Sequence, residues 1–402
     1  MVGFLRVRTL PEWRRVPLIV MLAATTLSSC VSHALPGIAI SPFSQNPVAR
    51  ELTGPARCHV RFYTPKGAPH PEQIHAAGPG LVVAGGGTDV DAEFVWMHDT
   101  VTGSTSRRGG DLVVLRANGS DDYDGYIFRL AAFHSVRTIK LPPCASARDI
   151  ADAARIVDRS SVVFFAGGDQ AEYVIWKGTP LQAAVQSVYA RGGVVGGTSA
   201  GAAILGRDVF DAVAEGDLQT TTDNAVHDPY ERRISFTYDF LRFPALHDTI
   251  VDTHFVTRNR FGREAVFTAR QIADGLVDKQ PPVAYGLAVD EASAVVIDKH
   301  GVGTLLLQYP GGSAYAIASF AARRIVRGRP FVSSTLRVTR LGTQGARFDF
   351  VRHCGDAPSY DVTVRGDRPH PQMYSPHDPY RDPPHGRVRP CGSSRSPAGS
   401  ND

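Results

Sequence analysis

Gly193-Val194-Val195-Gly196-Gly197-Thr198-Ser199-Ala200-Gly201-Ala202-Ala203 decides the fold. Two β-branched residues lead, two glycines follow, and small helix-compatible residues close the stretch. That order reads as a buried strand, a tight turn and the start of a helix, Ala200–Leu205. Residues 197–201 fit G-x-S-x-G, in which small neighbours let a strained serine stand out above the strand end. Outward from this point the same pattern repeats. Leu81-Val82-Val83-Ala84 runs into Gly85-Gly86-Gly87, Ser161–Phe165 runs into Ala166-Gly167-Gly168, and Asp111–Leu115 is another apolar run. Helical stretches lie between, at Ser146–Arg159 and Thr179–Arg191, with Ser146 placed to cap the first. Repeated strand, glycine turn and helix predict an α/β three-layer sandwich with a mainly parallel sheet. Such sheets hold their sites at the carboxyl ends of the strands.

The rest of the 402 residues is consistent with a globular chain, since 43% are hydrophobic and 20% charged. A net charge of +4 is too small to indicate a nucleic-acid binder. Ala294–Ile297 and Thr304–Tyr309 read as a hairpin, and strands are expected at Ala314–Phe320 and Thr335–Leu341. Gln219–Arg233 reads as an inserted polar loop. Residues 357–402 hold nine of the 28 prolines, which predicts a poorly structured tail. The expected organisation is a signal over 1–30, a linker over 31–56 and an α/β domain over 57–310. A β-rich extension over 311–356 and the Pro-rich tail over 357–402 complete it.

The N-terminus reads as an address. Arg6, Arg8, Arg14 and Arg15 precede an apolar run, Val16–Leu27, of signal-peptide length. Leu27-Ser28-Ser29-Cys30 resembles a bacterial lipobox, in which Cys30 becomes the lipidated first residue. The alternative is cleavage after Ser32-His33-Ala34, giving a periplasmic or secreted protein. Export makes the four remaining cysteines two expected disulfides. Cys58 with Cys144 and Cys354 with Cys391 are favoured, because each pair lies within one region of the chain. No two cysteines have zinc-motif spacing, so no metal or other cofactor is expected.

A serine hydroxyl needs a base to act as a nucleophile. His254 is the best candidate, in Asp252-Thr253-His254-Phe255 with Arg258, Arg260 and Arg263 following. Those cations suit a substrate carboxylate. A third residue should orient the imidazole, and Glu291, Asp290 and Asp252 all remain open at this level. The N–H of Ala200 would face an oxyanion.

Four blocks resemble, in order, those of the serine exopeptidases that include peptidase E and cyanophycinase. They are Phe165-Ala166-Gly167-Gly168-Asp169-Gln170, Gly197–Ala202, Asp252–Arg263 and Gly286–Glu291. The histidine block with three arginines in register is the one most similar to cyanophycinase. Thr253 and Ala288 depart from the pattern, where that family carries Gln and Gly. The resemblance implies Ser199 as nucleophile, His254 as base and Glu291 as the triad acid. It implies oxyanion donors at Gly168 and Ala200, and a substrate pocket shaped by Gln170, Asp252, Arg258, Arg260 and Arg263. The implied fold is the class I glutamine amidotransferase-like (flavodoxin-like) sandwich. The implied substrate is a peptide or isopeptide polymer, cleaved to β-Asp-Arg dipeptides without a cofactor. A membrane is met only through the lipid anchor, and a homodimer is left open.

Overall fold

The computed structural model describes residues 58–70, 77–216, 218–320, 325–333, 335–381, 386–388 and 390–391. Cys30 and the whole expected signal and linker lie outside them. Five parallel strands form the heart of the first sheet: β1 (Gly80–Ala84), β2 (Asp111–Arg116), β3 (Ser135–Lys140), β4 (Val162–Phe165) and β5 (Val194–Thr198). Their spatial order is β3-β2-β4-β5-β1. Every residue of β1, β4 and β5 is buried, as expected of strands covered on both faces.

Helices supply the cover. Helices α1 (Asp91–Thr102) and α2 (Asp122–Leu130) pack one face through Phe94, Met97 and Ile127. The other face is covered by α3 (Ala147–Val157) and α4 (Pro180–Ala190) through Val157, Leu181 and Val185. Ser146 and Asp149 form a capping box that starts α3, and Pro180 occupies the first turn of α4. The short helix α5 (Ala200–Ala203) follows β5.

The second half builds a second, mixed sheet. Strand β6 (Thr249–Asp252) leads to helix α6 (Phe261–Ala273), and β6 pairs in parallel with β7 (Val283–Val289). The hairpin β8 (Ser293–Ile297) and β9 (Val302–Leu307) returns to the first sheet, where β8 lies antiparallel to β1. Strands β10 (Ala314–Phe320), β11 (Leu336–Leu341) and β12 (Pro358–Val364) then extend the second sheet in the order β6-β7-β10-β11-β12.

Three expectations need correction. The boundary at 310/311 does not divide the fold, because β10 pairs along its length with β7. The expected tail contains β12, whose Tyr360, Val362 and Val364 are buried in the core under α6. The alternation of those residues outweighs the prolines around them. Gln219–Arg233 is not a plain loop, since Thr221 caps a helical turn, Thr222–His227, within it. Cys58–Cys144 and Cys354–Cys391 are disulfides with Cα separations of 5.7 and 5.3 Å.

Candidate active site

The end of β1 is the post on which the site hangs. Three consecutive carbonyls accept backbone N–H groups from three distant segments. Ala84 O accepts from Ser199 N (3.1 Å), Gly85 O from His254 N (2.9 Å) and Gly86 O from Ala292 N (3.0 Å). One strand end therefore fixes the spacing of Ser199, His254 and the residue following Glu291.

Ser199 has φ 54° and ψ −124°, between the end of β5 and the start of α5. That backbone is costly for a non-glycine residue and marks a functional turn. Its neighbours have to be small. A Cβ on Gly197 would lie 2.3 Å from the Gly201 carbonyl oxygen. His254 also has positive φ, 50°, and its ring is held against the glycine loop after β1. A Cβ on Gly86 would lie 2.4 Å from His254 Cε1, so only glycine leaves room for the imidazole.

The side chains form a relay. Ser199 Oγ and His254 Nε2 are 2.7 Å apart, and His254 Nδ1 and Glu291 Oε1 are 2.6 Å apart. Burial lowers the His254 pKa from its ordinary value, and the nearby Arg258 and Arg260 charges add to that, while the Glu291 hydrogen bond opposes it. The imidazole is thus neutral and basic near pH 7.

The geometry also separates the three candidate acids. Asp290 Oδ1 accepts the backbone N–H groups of Val256 (3.1 Å) and Thr257 (3.0 Å), bracing the turn after His254. Asp252 is 2% exposed and receives Arg263 Nε at 2.8 Å, Arg263 Nη2 at 2.5 Å and Arg260 Nη1 at 3.2 Å. Burial alone would raise Asp252, but the Arg263 and Arg260 guanidiniums outweigh it and hold its carboxyl below the usual range. Only Glu291 of the three bonds to the imidazole.

Beside Ser199 lies a cavity of about 260 Å³, bordered by Gly168, Gln170, Ala200, Asp252, Arg258, Arg260 and Arg263. The Ala200 N–H belongs to the first turn of α5 and has no intrahelical acceptor. Gln170 Nε2 donates to Phe210 O at 3.3 Å. The three arginines are not equivalent, which corrects the reading of them as three carboxylate holders. Arg263 is 3% exposed, donates to Thr220 O at 3.0 Å and lies over the Phe210 and Phe267 rings. Arg260 also donates to Thr253 O at 2.7 Å. Arg258 is exposed and donates its backbone N–H to His254 O at 2.9 Å, while its side chain forms no ion pair or hydrogen bond among the described residues. Helix α6 begins at Phe261, so Arg258 and Arg260 precede it and only Arg263 stands on the helix.

Sequence reasoning missed Gly86 and the bracing role of Asp290. It also missed Phe210, Glu215 and Gln219, which border the cavity from the segment after α5. The triple glycine at the end of β1 was the available signal. As for metal donors, His247, Asp248 and Asp278 bring one atom each within 4.8 Å of one another. Arg207 Nη1 already lies 3.1 to 3.4 Å from all three, where a cation would sit.

No protein-family model and no curated protein matches the chain. Among solved structures it is similar to a peptidase from an acI-B1 Actinobacterium, at 16% identity and a TM-score of 0.40, over 68% of this chain and 97% of that one. It is also similar to a protein named after peptidase E from Listeria monocytogenes EGD-e, at 15% identity and a TM-score of 0.34, over 55% of this chain and 95% of that one.

Proposed function

We propose that this chain is a serine-type exopeptidase that cleaves aspartyl peptide or isopeptide bonds through an acyl-enzyme. The observation that carries the reading is the continuous Ser199–His254–Glu291 relay at 2.7 and 2.6 Å on a strained strand–helix turn. Ser199 Oγ attacks the scissile carbonyl carbon while His254 Nε2 takes its proton. Glu291 accepts the Nδ1–H bond and stabilises the imidazolium. The carbonyl oxygen, now negative, receives the N–H groups of Gly168 and Ala200. Collapse expels the amine, which takes the proton back from His254. Water, activated by the same imidazole, then hydrolyses the ester and frees Ser199.

Cyanophycin, cleaved to β-Asp-Arg dipeptides, is the substrate that the sequence blocks imply. The pocket also supports a second reading, hydrolysis of small Asp-X dipeptides. Asp252 engages two of the three arginines, leaving Arg258 as the free cation of the three, and the cavity is of dipeptide size. Export and anchoring through Cys30 complete the proposal. A non-catalytic binding role would have no use for the strained Ser199 backbone.

The test incubates the purified protein with insoluble cyanophycin and, separately, with Asp-X dipeptides, and identifies the products by mass spectrometry. Ser199→Ala should abolish hydrolysis with the fold intact, a loss of about a million-fold in turnover. Activity of Ser199→Ala within about tenfold of the parent would remove Ser199 from the mechanism.

A further inference from the structure

Strand β5 sorts its side chains by alternation. Val195 joins the core under α3 and α4, whereas Val194 joins the core under α1 and α2. By the same period Thr198 belongs to the α1–α2 side. Ser199, at the strand tip, therefore has two flanks. One carries the Arg258 cavity. The other is formed by the loop after β1 and the first turn of α1, which bring Asp89, Asp91 and Glu93 together.

The carboxylates of this second flank lack counter-charges, while Arg116 lies over the Tyr123 ring with its guanidinium carbon 6.0 Å from the centroid. Among the described residues, none of the three carboxylates pairs with a Lys or Arg, whereas Asp239, Asp252 and Asp361 all do. Glu93 is 0% exposed, and neither of its carboxyl oxygens has a hydrogen-bond partner. Burial pushes its pKa well above the ordinary carboxylate value, and the charges of Asp89 and Asp91, toward which it faces, push in the same direction. The Thr198 hydroxyl, one residue before Ser199, is buried beside Asp89. Asp89 faces that hydroxyl and the Tyr123 hydroxyl, and burial raises its pKa. Tyr126 donates to Asp91 at 2.5 Å.

The pattern continues along the neighbouring strand ends. Asp122 after β2 and Asp169 and Glu172 after β4 also lack ion pairs among the described residues. Arg116, at the end of β2, donates to the backbone carbonyls of Asn118 and Ser120. Carboxylates thus outnumber the one cation, Arg116, among these described strand-end residues, which favours an approaching cation in a chain of net charge +4.

We propose that the Asp89–Asp91–Glu93 flank is a recognition subsite for a positively charged group of the substrate, a guanidinium or ammonium held by Asp89 and Asp91. The proposal rests on the serine-peptidase reading, because the cation belongs to the chain being cleaved. Such a group gains charge-assisted bonds to Asp89 and Asp91. It also relieves the repulsion among the three carboxyls. Ser199 then works between a pocket for a carboxylate and a ledge for a cation, which orients a substrate carrying both charges.

Two measurements test the subsite. Agmatine, a guanidinium without a carboxylate, is titrated by calorimetry into the wild type and into an Asp89→Asn/Asp91→Asn double variant whose melting temperature is checked. Binding should weaken about tenfold or more in the variant and decline with added salt. In the second arm, kcat/KM is compared for two peptides that differ only by arginine against citrulline, its neutral isostere. The wild-type preference for arginine, about tenfold or more, should fall below about threefold in the variant. Absence of agmatine binding to the wild type, equal agmatine binding by both proteins, or an arginine preference untouched by the substitutions would overturn the proposal. If neither peptide is hydrolysed, the peptidase reading fails, and the agmatine titration alone then decides the subsite.

Discussion

Gly86→Ala is the perturbation that most directly probes the post at the end of β1. The added Cβ would lie 2.4 Å from His254 Cε1, 2.6 Å from Nε2 and 3.1 Å from Ser199 Cβ. An ordinary contact needs about 3.4 Å or more, so the ring has to retreat by about 1 Å. The Ser199–His254 hydrogen bond is 2.7 Å, and such a retreat stretches it beyond hydrogen-bonding range. A misplacement of about 1 Å in a catalytic group costs on the order of a hundredfold in rate. Gly86 also has φ +94°, and a left-handed backbone costs an alanine about 1–2 kcal/mol. The variant should therefore fold with a lowered melting temperature and lose about two orders of magnitude in turnover. The assay is steady-state hydrolysis together with the rate of Ser199 labelling by a fluorophosphonate, which reads nucleophile activation without substrate binding. Turnover and labelling within about threefold of the parent would refute the reasoning that Gly86 sets the imidazole position.

Arg263→Ala should destabilise the fold by about 3–5 kcal/mol in chemical denaturation, because it strips a buried partner from Asp252. Arg258→Ala should leave the denaturation midpoint in place and raise KM for carboxylate-bearing substrates; equal stability losses in the two variants would contradict this division of roles. Activity should rise with pH as His254 loses its proton, with a midpoint in kcat/KM below the ordinary 6.5 because burial lowers the His254 pKa. A midpoint above that value would show the imidazole to be less buried than the structure has it. Glu264 is fully buried and its pKa is raised well above 4.5 by that burial, so the folded chain keeps a proton that the unfolded chain loses. Stability attributable to it falls as pH climbs past the unfolded value, by at most about 1.4 kcal/mol per unit, so Glu264→Gln should gain on the parent between pH 5 and 8. A melting-temperature difference that stays constant across that range would count against it.

The legible parts of this fold were those written locally. Val194-Val195 runs into Gly196-Gly197 and Val162–Phe165 runs through Ala166 into Gly167-Gly168, and each apolar run is too short for a helix. Ser146 announces the start of α3 through a cap that lies within three residues of its acceptor. The second sheet was harder to see, because its pairings join segments far apart in sequence, such as β7 with β10 and β11 with β12. In β12 the buried Tyr360, Val362 and Val364 alternate with Asp361 and Thr363, a strand signature that the proline content around it concealed. From the residues themselves, without the resemblance that pointed to Glu291, the choice among the acids was illegible for a different reason. Asp290 and Glu291 are adjacent in the chain, and only the turn geometry sends one to the backbone of Val256 and Thr257 and the other to the imidazole.

The arginine block shows how a motif divides its labour once it is folded. Asp252 ends β6, two residues before His254, at a point buried on all sides. A carboxylate there is tolerable only if cations and donors surround it, and Arg263, Arg260 and the Thr253 N–H supply them. The same Arg263 reaches Thr220 O, so one guanidinium ties the histidine strand to the segment that walls the cavity. Two of the three arginines thus set where His254 stands. In the proposed function Arg258, whose side chain has no partner among the described residues and is exposed at the cavity, is left to meet the substrate. Its charge also acts on His254, disfavouring the imidazolium, until a substrate carboxylate neutralises it. In the proposed function, a carboxylate bound at Arg258 would therefore make His254 a stronger base as the substrate arrives, coupling recognition to the proton transfer that activates Ser199.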